Sequence, residues 1–148
     1  MKIDINGISI TLTQDQLAEI ARQTKQIKSY KDITSFEVAC EHLGVNITQF
    51  NSAIIGLTNG EISLRKLKII VKAIRSFTNW KPNWAKCGQY KYYVWFDLEK
   101  GFSSYVTDCN DTNTTVPSAL CLESNEQAKF LGTTFVSLFK EYIFEGED

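Results

Sequence analysis

The stretch from Trp80 to Leu98 limits what this chain can fold into more than any other. It reads WKPNWAKCGQYKYYVWFDL and holds all three tryptophans of the 148 residues. Pro82 fixes its own φ angle and biases Lys81 towards an extended backbone, so a helix cannot run through this point. The run from Tyr90 to Leu98 is rich in aromatic and β-branched residues, a composition that favours a β-strand.

Side chains alternate between the two faces of such a strand, which predicts different roles for them. One face carries Tyr92, Val94, Phe96 and Leu98, and the other carries Lys91, Tyr93, Trp95 and Asp97. We expect the first, apolar face to pack on the core. Large aromatic side chains are usually buried, so the simpler interpretation is that Trp80 and Trp84 fold back over Trp95. The alternative is an exposed surface for a protein partner, formed by Trp80, Trp84, Tyr93 and Trp95.

The first residues predict a β-hairpin followed by a helix. The dipeptide Asn6–Gly7 accepts the positive φ angles of a two-residue hairpin turn, and it lies between two runs that alternate apolar and polar residues. Thr13 and Gln16 have the spacing of a capping box. They predict the start of a helix that extends to about Lys28.

Two short helices are expected next. Thr34 and Glu37 form a second capping box, and Gly44 ends the helix that they start. A further helix is expected from Ile47 to about Ile55. Two short helices that cross at a glycine fit a structural helical hairpin or a DNA-reading helix-turn-helix. The polar residues of the second helix suit base edges, but no Lys or Arg accompanies them for phosphate contacts, so we expect the structural hairpin. These polar residues are Asn46, Thr48, Gln49, Asn51 and Ser52.

The clearest helical periodicity runs from Leu64 to Phe77, after a turn predicted at Asn59–Gly60. Its buried stripe is Leu64, Leu67, Ile70, Val71, Ile74 and Phe77. On the opposite side, basic residues recur at spacings of three and four. These are Arg65, Lys68, Lys72 and Arg75. Such a row is usually a solvated helix face, and its alternative role is to contact the phosphates of a nucleic acid.

The remaining third predicts two more strands and a long helix. Phe102–Val106 is expected to pair with the central strand, and 108–115 is expected to form an exposed polar loop. Ala119–Leu122 has the composition of a short strand. Ser124 and Gln127 form a third capping box, which predicts a helix that continues to about Phe144.

Charge and cysteine content exclude several classes of function. The net charge is −1, so no global field attracts nucleic acid or an anionic membrane. The charge is unevenly distributed, because residues 1–78 carry ten Lys/Arg against seven Asp/Glu and residues 79–148 carry six against ten. Four cysteines without a C-x-x-C pair, together with a single histidine, give no ordinary zinc site.

No motif predicts a catalytic residue, a cofactor or a metal. We expect a cytoplasmic protein with free thiols, no signal peptide and no membrane span.

Five segments carry a resemblance, and they are WKPNW, QYKYYVWF, SALCLES, TLTQDQL and ITSFEVAC. They resemble segments of small proteins of phages and mobile elements from gut Bacteroidetes, a group without an assigned activity. The resemblance spans most of the chain. It implies a phage or prophage origin and no particular mechanism.

These patterns together predict a single α+β domain over residues 1–148. Residues 1–78 would form the hairpin and the helical section, and residues 79–148 a small antiparallel sheet packed by the C-terminal helix. The leading functional hypothesis is a non-enzymatic protein that binds a protein partner, or another copy of itself, through the aromatic surface. The alternative is nucleic-acid binding through the basic helix, with an exposed aromatic ring stacking on bases.

Overall fold

The computed structural model describes residues 2–5, 8–11, 13–16, 27–100, 103–109 and 118–144. Helices predominate and strands are few, which agrees in broad terms with the predicted α+β class. The strands are β1 (Lys2–Ile5), β2 (Ile8–Thr11), β3 (Lys91–Asp97) and β4 (Ser103–Cys109). The helices are α1 (Phe36–Leu43), α2 (Ile47–Ala53), α3 (Asn59–Ser76), α4 (Asn125–Thr134) and α5 (Val136–Ile143). Short 3₁₀ turns span Tyr30–Asp32 and Ser118–Leu120.

Some predictions fall on parts of the chain that the structure does not describe. The hairpin turn at Asn6–Gly7 lies outside the described residues, as do residues 17–26 of the first predicted helix and 110–115 of the predicted loop. The capping box at the start of the first helix is confirmed. The Gln16 backbone N–H donates to Thr13 Oγ1 at 3.2 Å, and the Thr13 N–H donates to Gln16 Oε1 at 3.0 Å.

Helices α1 and α2 lie where the pattern places them, with one correction at the cap. Ser35 caps α1, because its hydroxyl accepts from the Val38 N–H at 3.2 Å, so the predicted cap at Thr34 is wrong by one residue. Gly44 ends α1 with a φ of 67°, a left-handed conformation that glycine adopts without steric cost. Phe36 packs on Phe50 across the hairpin, with ring centroids 4.7 Å apart.

Helix α3 begins earlier than the apolar stripe predicts. The Thr58 N–H donates to Glu61 Oε2 at 2.9 Å, and the Glu61 N–H donates to Thr58 Oγ1 at 3.3 Å. This capping box satisfies free N–H groups at the helix start, so Asn59 and Gly60 belong to the helix and the predicted turn there is wrong. The predicted inward stripe is confirmed, since Leu67, Ile70, Val71 and Ile74 are fully buried.

The predicted C-terminal helix is two helices. Ser124 caps α4 as expected, but the helix ends at Thr134, and Phe135 leaves helical geometry with φ −114° and ψ 28°. The Thr133 hydroxyl donates to the carbonyls of Lys129 and Phe130, a contact that bends helices. Buried Gly132, a weak helix former, adds to this break. The bend directs α4 against β3 and β4 and directs α5 against α3.

The strands form two antiparallel pairs. Strand β1 pairs with β2, and β3 pairs with β4 in a register that sets Lys91 opposite Cys109 and Asp97 opposite Ser103. Strand β4 continues through Asp108 and Cys109, which the sequence assigns to a loop. The strand predicted at Ala119–Leu122 is wrong, because residues 118–120 form a 3₁₀ turn. Of the predicted strand, Leu122 makes an isolated bridge to Tyr92.

Among the described residues, one hydrophobic cluster joins the two halves of the chain. It draws Ile33, Phe36 and the inward stripe of α3 from the first half, and Leu122, Leu131 and Phe139 from the second. Tyr92, Val94 and Phe96 pack against this cluster as their alternation predicts. Leu98, predicted for the same face, is exposed instead.

Candidate functional site

Helix α3 presents three of the four predicted basic residues to solvent. Arg65, Lys68 and Lys72 are exposed, and their spacings of three and four residues keep them on one side of the helix. At 1.5 Å of rise per residue, successive charges are about 4.5 and about 6 Å apart along the axis. This row, Arg65–Lys68–Lys72, is called the basic row below.

Arg75 is not part of the basic row. Its Nε donates to the carbonyl oxygen of Cys121 at 2.8 Å, and its Nη2 donates to the same oxygen and lies 3.2 Å from the Cys121 Sγ atom. Burial lowers the pKa of the Arg75 guanidinium from its ordinary value, and the neighbouring Cys121 thiol partly opposes that change. Arg75 therefore ties α3 to the segment before α4, and its predicted role as a phosphate contact is replaced by a structural one.

Cys121 is fully buried beside this arginine. Burial raises the pKa of its thiol, although the charges of Arg75 and Lys91 favour the thiolate. Burial raises the pKa of the Cys40 thiol as well. Because the thiolate is the reactive form, both thiols are poor nucleophiles at neutral pH. Cys40, Cys87 and Cys121 are free cysteines.

Two of the predicted partner-binding tryptophans pack on cations of the chain itself. Trp80 lies over Arg75, with the guanidinium carbon 5.4 Å from its ring centroid. Trp84 lies over Lys91, with the ammonium nitrogen 4.9 Å from its ring centroid. Lys91 is fully buried and donates to the Gln89 carbonyl at 2.8 Å. Each of these two indoles thus packs on a cation, whereas the sequence predicts that both fold over Trp95.

A groove of about 320 Å³ opens where α3 ends. Asn79 takes a left-handed conformation with φ 54°, which asparagine tolerates, and this turns the chain so that Trp80 and Lys81 meet the last turns of α3. The groove is lined by Leu43, Lys72, Arg75, Ser76, Asn79, Trp80 and Lys81. It therefore joins one end of the basic row to one of the predicted aromatic residues. Within the described part of the chain, no carboxylate lines it.

His42 lies beside the groove as a structural residue. Its ring stacks on Phe77 at a centroid distance of 4.6 Å, and its Nε2 lies 2.8 Å from Ser76 Oγ. The Ser76 hydroxyl donates to the Ala73 carbonyl at 2.7 Å. Because a hydroxyl has one proton, His42 Nε2 is then the donor to Ser76. The pair does not have the base-to-nucleophile hydrogen bond of a hydrolase.

Trp95 forms part of a second, apolar surface. It is 43% exposed, and Leu98, Ile143 and Phe144 are 53%, 42% and 38% exposed. A shallow groove of about 210 Å³ is lined by Val94, Trp95, Phe96, Leu98 and Ile143. Tyr93, the fourth predicted contact residue, is half-buried. The three exposed residues that line this groove, Trp95, Leu98 and Ile143, are called the Trp95 surface below.

Helix α2 offers little to nucleic acid. Asn46 uses its side chain to cap the helix by accepting from the Gln49 N–H at 3.0 Å. An open depression along α1 and α2 is lined by Glu37 and Glu41, which would repel phosphates. Helix α2 therefore has no basic residues of its own, and the depression beside it carries the negative charges of α1.

Other kinds of site are not found in the described ranges. No group of three or more His, Cys, Asp or Glu side chains is placed to hold a metal ion. None of the helices there is long and apolar enough to cross a membrane. No protein-family model, curated protein or solved structure matches this chain.

Sequence reasoning missed the roles of Arg75 and Lys91. The partner of Arg75 is Cys121, 46 residues away, and no local pattern connects them. A signal was present for the groove, because Pro82 and the two tryptophans directly follow the basic helix. That proximity predicts that an aromatic residue and a basic residue meet at the end of α3.

Proposed function

We propose that this chain is a non-enzymatic nucleic-acid-binding protein that contacts phosphates through the basic row. The observation that supports the proposal most is the continuity between the row and the groove. Exposed Arg65, Lys68 and Lys72 lead along one side of α3 to a groove that adds Lys81 and the ring of Trp80. A positively charged track beside an aromatic ring is typical of proteins that bind single-stranded nucleic acid.

The attraction is local, because the whole chain carries a net charge of −1. Four cations are available to phosphates, the three of the basic row and Lys81. For single strands, each neutralised phosphate contributes about −0.7 to the slope of log affinity against log salt, so four predict a slope of about −2.8. Affinity should then fall about fiftyfold between about 50 and about 200 mM salt.

The test compares the salt dependence of oligonucleotide binding in charge variants. Replacing Lys68 and Lys72 by Gln should bring the slope to about −1.4, because two contacts are lost. The matched control replaces Lys31 and Lys129 by Gln, two exposed lysines of other elements, and should leave the slope unchanged. Equal slopes for the two double variants would refute the proposed role of the basic row.

A second candidate function is binding of a protein partner through the Trp95 surface. Large apolar residues that are exposed together mark interaction sites more often than isolated ones do. The groove on this surface is lined by apolar residues alone among those described, which predicts association that changes little with salt.

The test of this candidate uses Trp95→Ser with Ile143→Ser, and Ser replacement of Ile55, an exposed residue that does not line this groove, as control. Sedimentation velocity would detect self-association. If the protein is a monomer, affinity capture should recover a protein that binds to the Ile55 variant and does not bind to the double variant. This candidate is eliminated if the protein is a monomer and both variants capture the same proteins.

A further inference from the structure

We infer that the groove at the end of α3 binds one nucleotide, with the phosphate between Lys72 and Lys81 and the base against Trp80. The inference deepens the proposed function, since it assigns a ligand to one end of the basic row. The same chemistry has two sources, a free nucleoside monophosphate or one unit of a single-stranded chain.

The size of the groove suits this ligand. Its volume of about 320 Å³ lies near the lower end of the range for small-molecule sites, about 300–1,000 Å³. That volume accommodates a single nucleotide and is small for a base pair. Trp80 is only half-buried and lines the groove, so part of its ring is accessible to a base. Stacking of one base on an aromatic ring is worth about 1–3 kcal/mol.

The charges around the groove favour a phosphate. Lys72 and Lys81 are exposed, and no carboxylate of the described residues forms an ion pair with either. The carboxyl end of α3 contributes about half a negative charge, which the two lysines Lys72 and Lys81 outweigh. Glu123 accepts a hydrogen bond from the Thr78 hydroxyl at 2.5 Å but does not line the groove. The groove therefore keeps a net positive charge.

The site is also held in shape before a ligand arrives. Arg75 is fixed by the Cys121 carbonyl, and Trp80 packs on its guanidinium. The Gln89 side-chain amide donates to the Lys81 carbonyl at 3.1 Å, which holds the backbone of the loop after Trp80. A groove with fixed walls loses less conformational entropy on binding than a mobile one.

The experiment is a titration followed in the ¹⁵N–¹H spectrum, where the three indole N–H resonances report on the three tryptophans separately. The ligands are adenosine monophosphate, inorganic phosphate, a short single-stranded oligothymidine and a DNA duplex. We expect adenosine monophosphate to shift the Trp80 resonance and leave that of Trp95 in place. It should bind about tenfold more tightly than inorganic phosphate, because the base adds stacking.

Variants separate the two halves of the site. Lys81→Gln should weaken both adenosine monophosphate and phosphate about tenfold, because a charge-assisted contact is lost. Trp80→Leu should reduce adenosine monophosphate to the affinity of phosphate, and Trp80→Phe should restore part of the difference. Lys129→Gln is the control. The inference is overturned if adenosine monophosphate leaves the Trp80 resonance unmoved, or if it binds no better than phosphate.

The source of the nucleotide follows from the same titration. Oligothymidine that shifts Trp80 at lower concentration than the mononucleotide identifies a single strand as the ligand, and the reverse order identifies a free mononucleotide. Oligonucleotide binding that depends on Lys68 without any shift at Trp80 would reject the groove and keep the proposed function. A Trp80 shift by adenosine monophosphate without oligonucleotide binding would keep the groove as a nucleotide site and reject the proposed function.

Discussion

Replacing Arg75 by Met tests whether this arginine is structural. The change removes the donors from the buried Cys121 carbonyl, and a buried acceptor without a partner costs about 1–3 kcal/mol. It also removes the cation over Trp80, worth about 0.5–1 kcal/mol. The variant recovers part of the cost of burying the charge, so we expect a net loss of about 2–3 kcal/mol. For a chain of 148 residues this lowers the melting temperature by about 5–10 °C.

The matched control is Arg65→Met, an exposed position on the same helix. Its free energy of unfolding should stay within about 0.5 kcal/mol of the wild type. Arg75→Lys keeps the charge but not the planar fork of donors, so its stability should lie between those of the wild type and Arg75→Met. Urea denaturation followed by circular dichroism measures all three variants. Equal midpoints for Arg75→Met and Arg65→Met would refute the structural role.

Three further predictions concern other parts of the chain. Thr58→Ala should cost about 1 kcal/mol by removing the cap of α3. The Thr58 backbone and side-chain hydrogen bonds hold the pKa of Glu61 below its usual range. The hydrogen bonds to the Glu61 carboxylate therefore stabilise the fold at pH values above the pKa of Glu61 in the unfolded chain, about 4.3. This stabilisation is lost as the pH falls through the lower pKa of Glu61 in the folded chain. Thr58→Ala removes the hydroxyl that donates to Glu61 Oε2 at 3.1 Å but keeps the backbone N–H that donates to the same oxygen. The difference in stability between this variant and the wild type should therefore shrink in part as the pH falls, and a pH-independent difference would contradict this. Alkylation followed by mass spectrometry should label exposed Cys87 in the native protein, but Cys40 and Cys121 only after unfolding; equal labelling rates would disprove the burial. Leu131→Ala, at a fully buried core position, should cost about 2–5 kcal/mol in urea denaturation, and a smaller loss than Thr58→Ala would count against the core described above.

Local periodicity predicted the helices well, because the signals lie within a few residues of each other. The stripe from Leu67 to Ile74 fixes the buried face of α3, and Gly44 fixes the end of α1. Local signals failed where two of them competed. The dipeptide Asn59–Gly60 favours a turn, but the Thr58–Glu61 capping box directly around it favours a helix start, and the helix prevails.

The candidate site was predictable only in part, because burial of a cation depends on distant partners. Arg75 has the same spacing as Lys72 on the helix, and only the Cys121 carbonyl distinguishes their roles. Lys91 alternates with Tyr92 as an outward residue, yet Trp84 and the Gln89 carbonyl cover it. The break at Phe135 similarly needs the side-chain contacts of Thr133, which helical periodicity does not reveal.

The most direct test of nucleic-acid binding is fluorescence anisotropy of labelled single-stranded and duplex oligonucleotides at two salt concentrations. We predict binding at low salt, tighter for the single strand, with an affinity that falls about fiftyfold between about 50 and about 200 mM salt. Absence of binding at low salt, or binding that does not change with salt, would contradict the proposed function and leave the Trp95 surface as the remaining candidate.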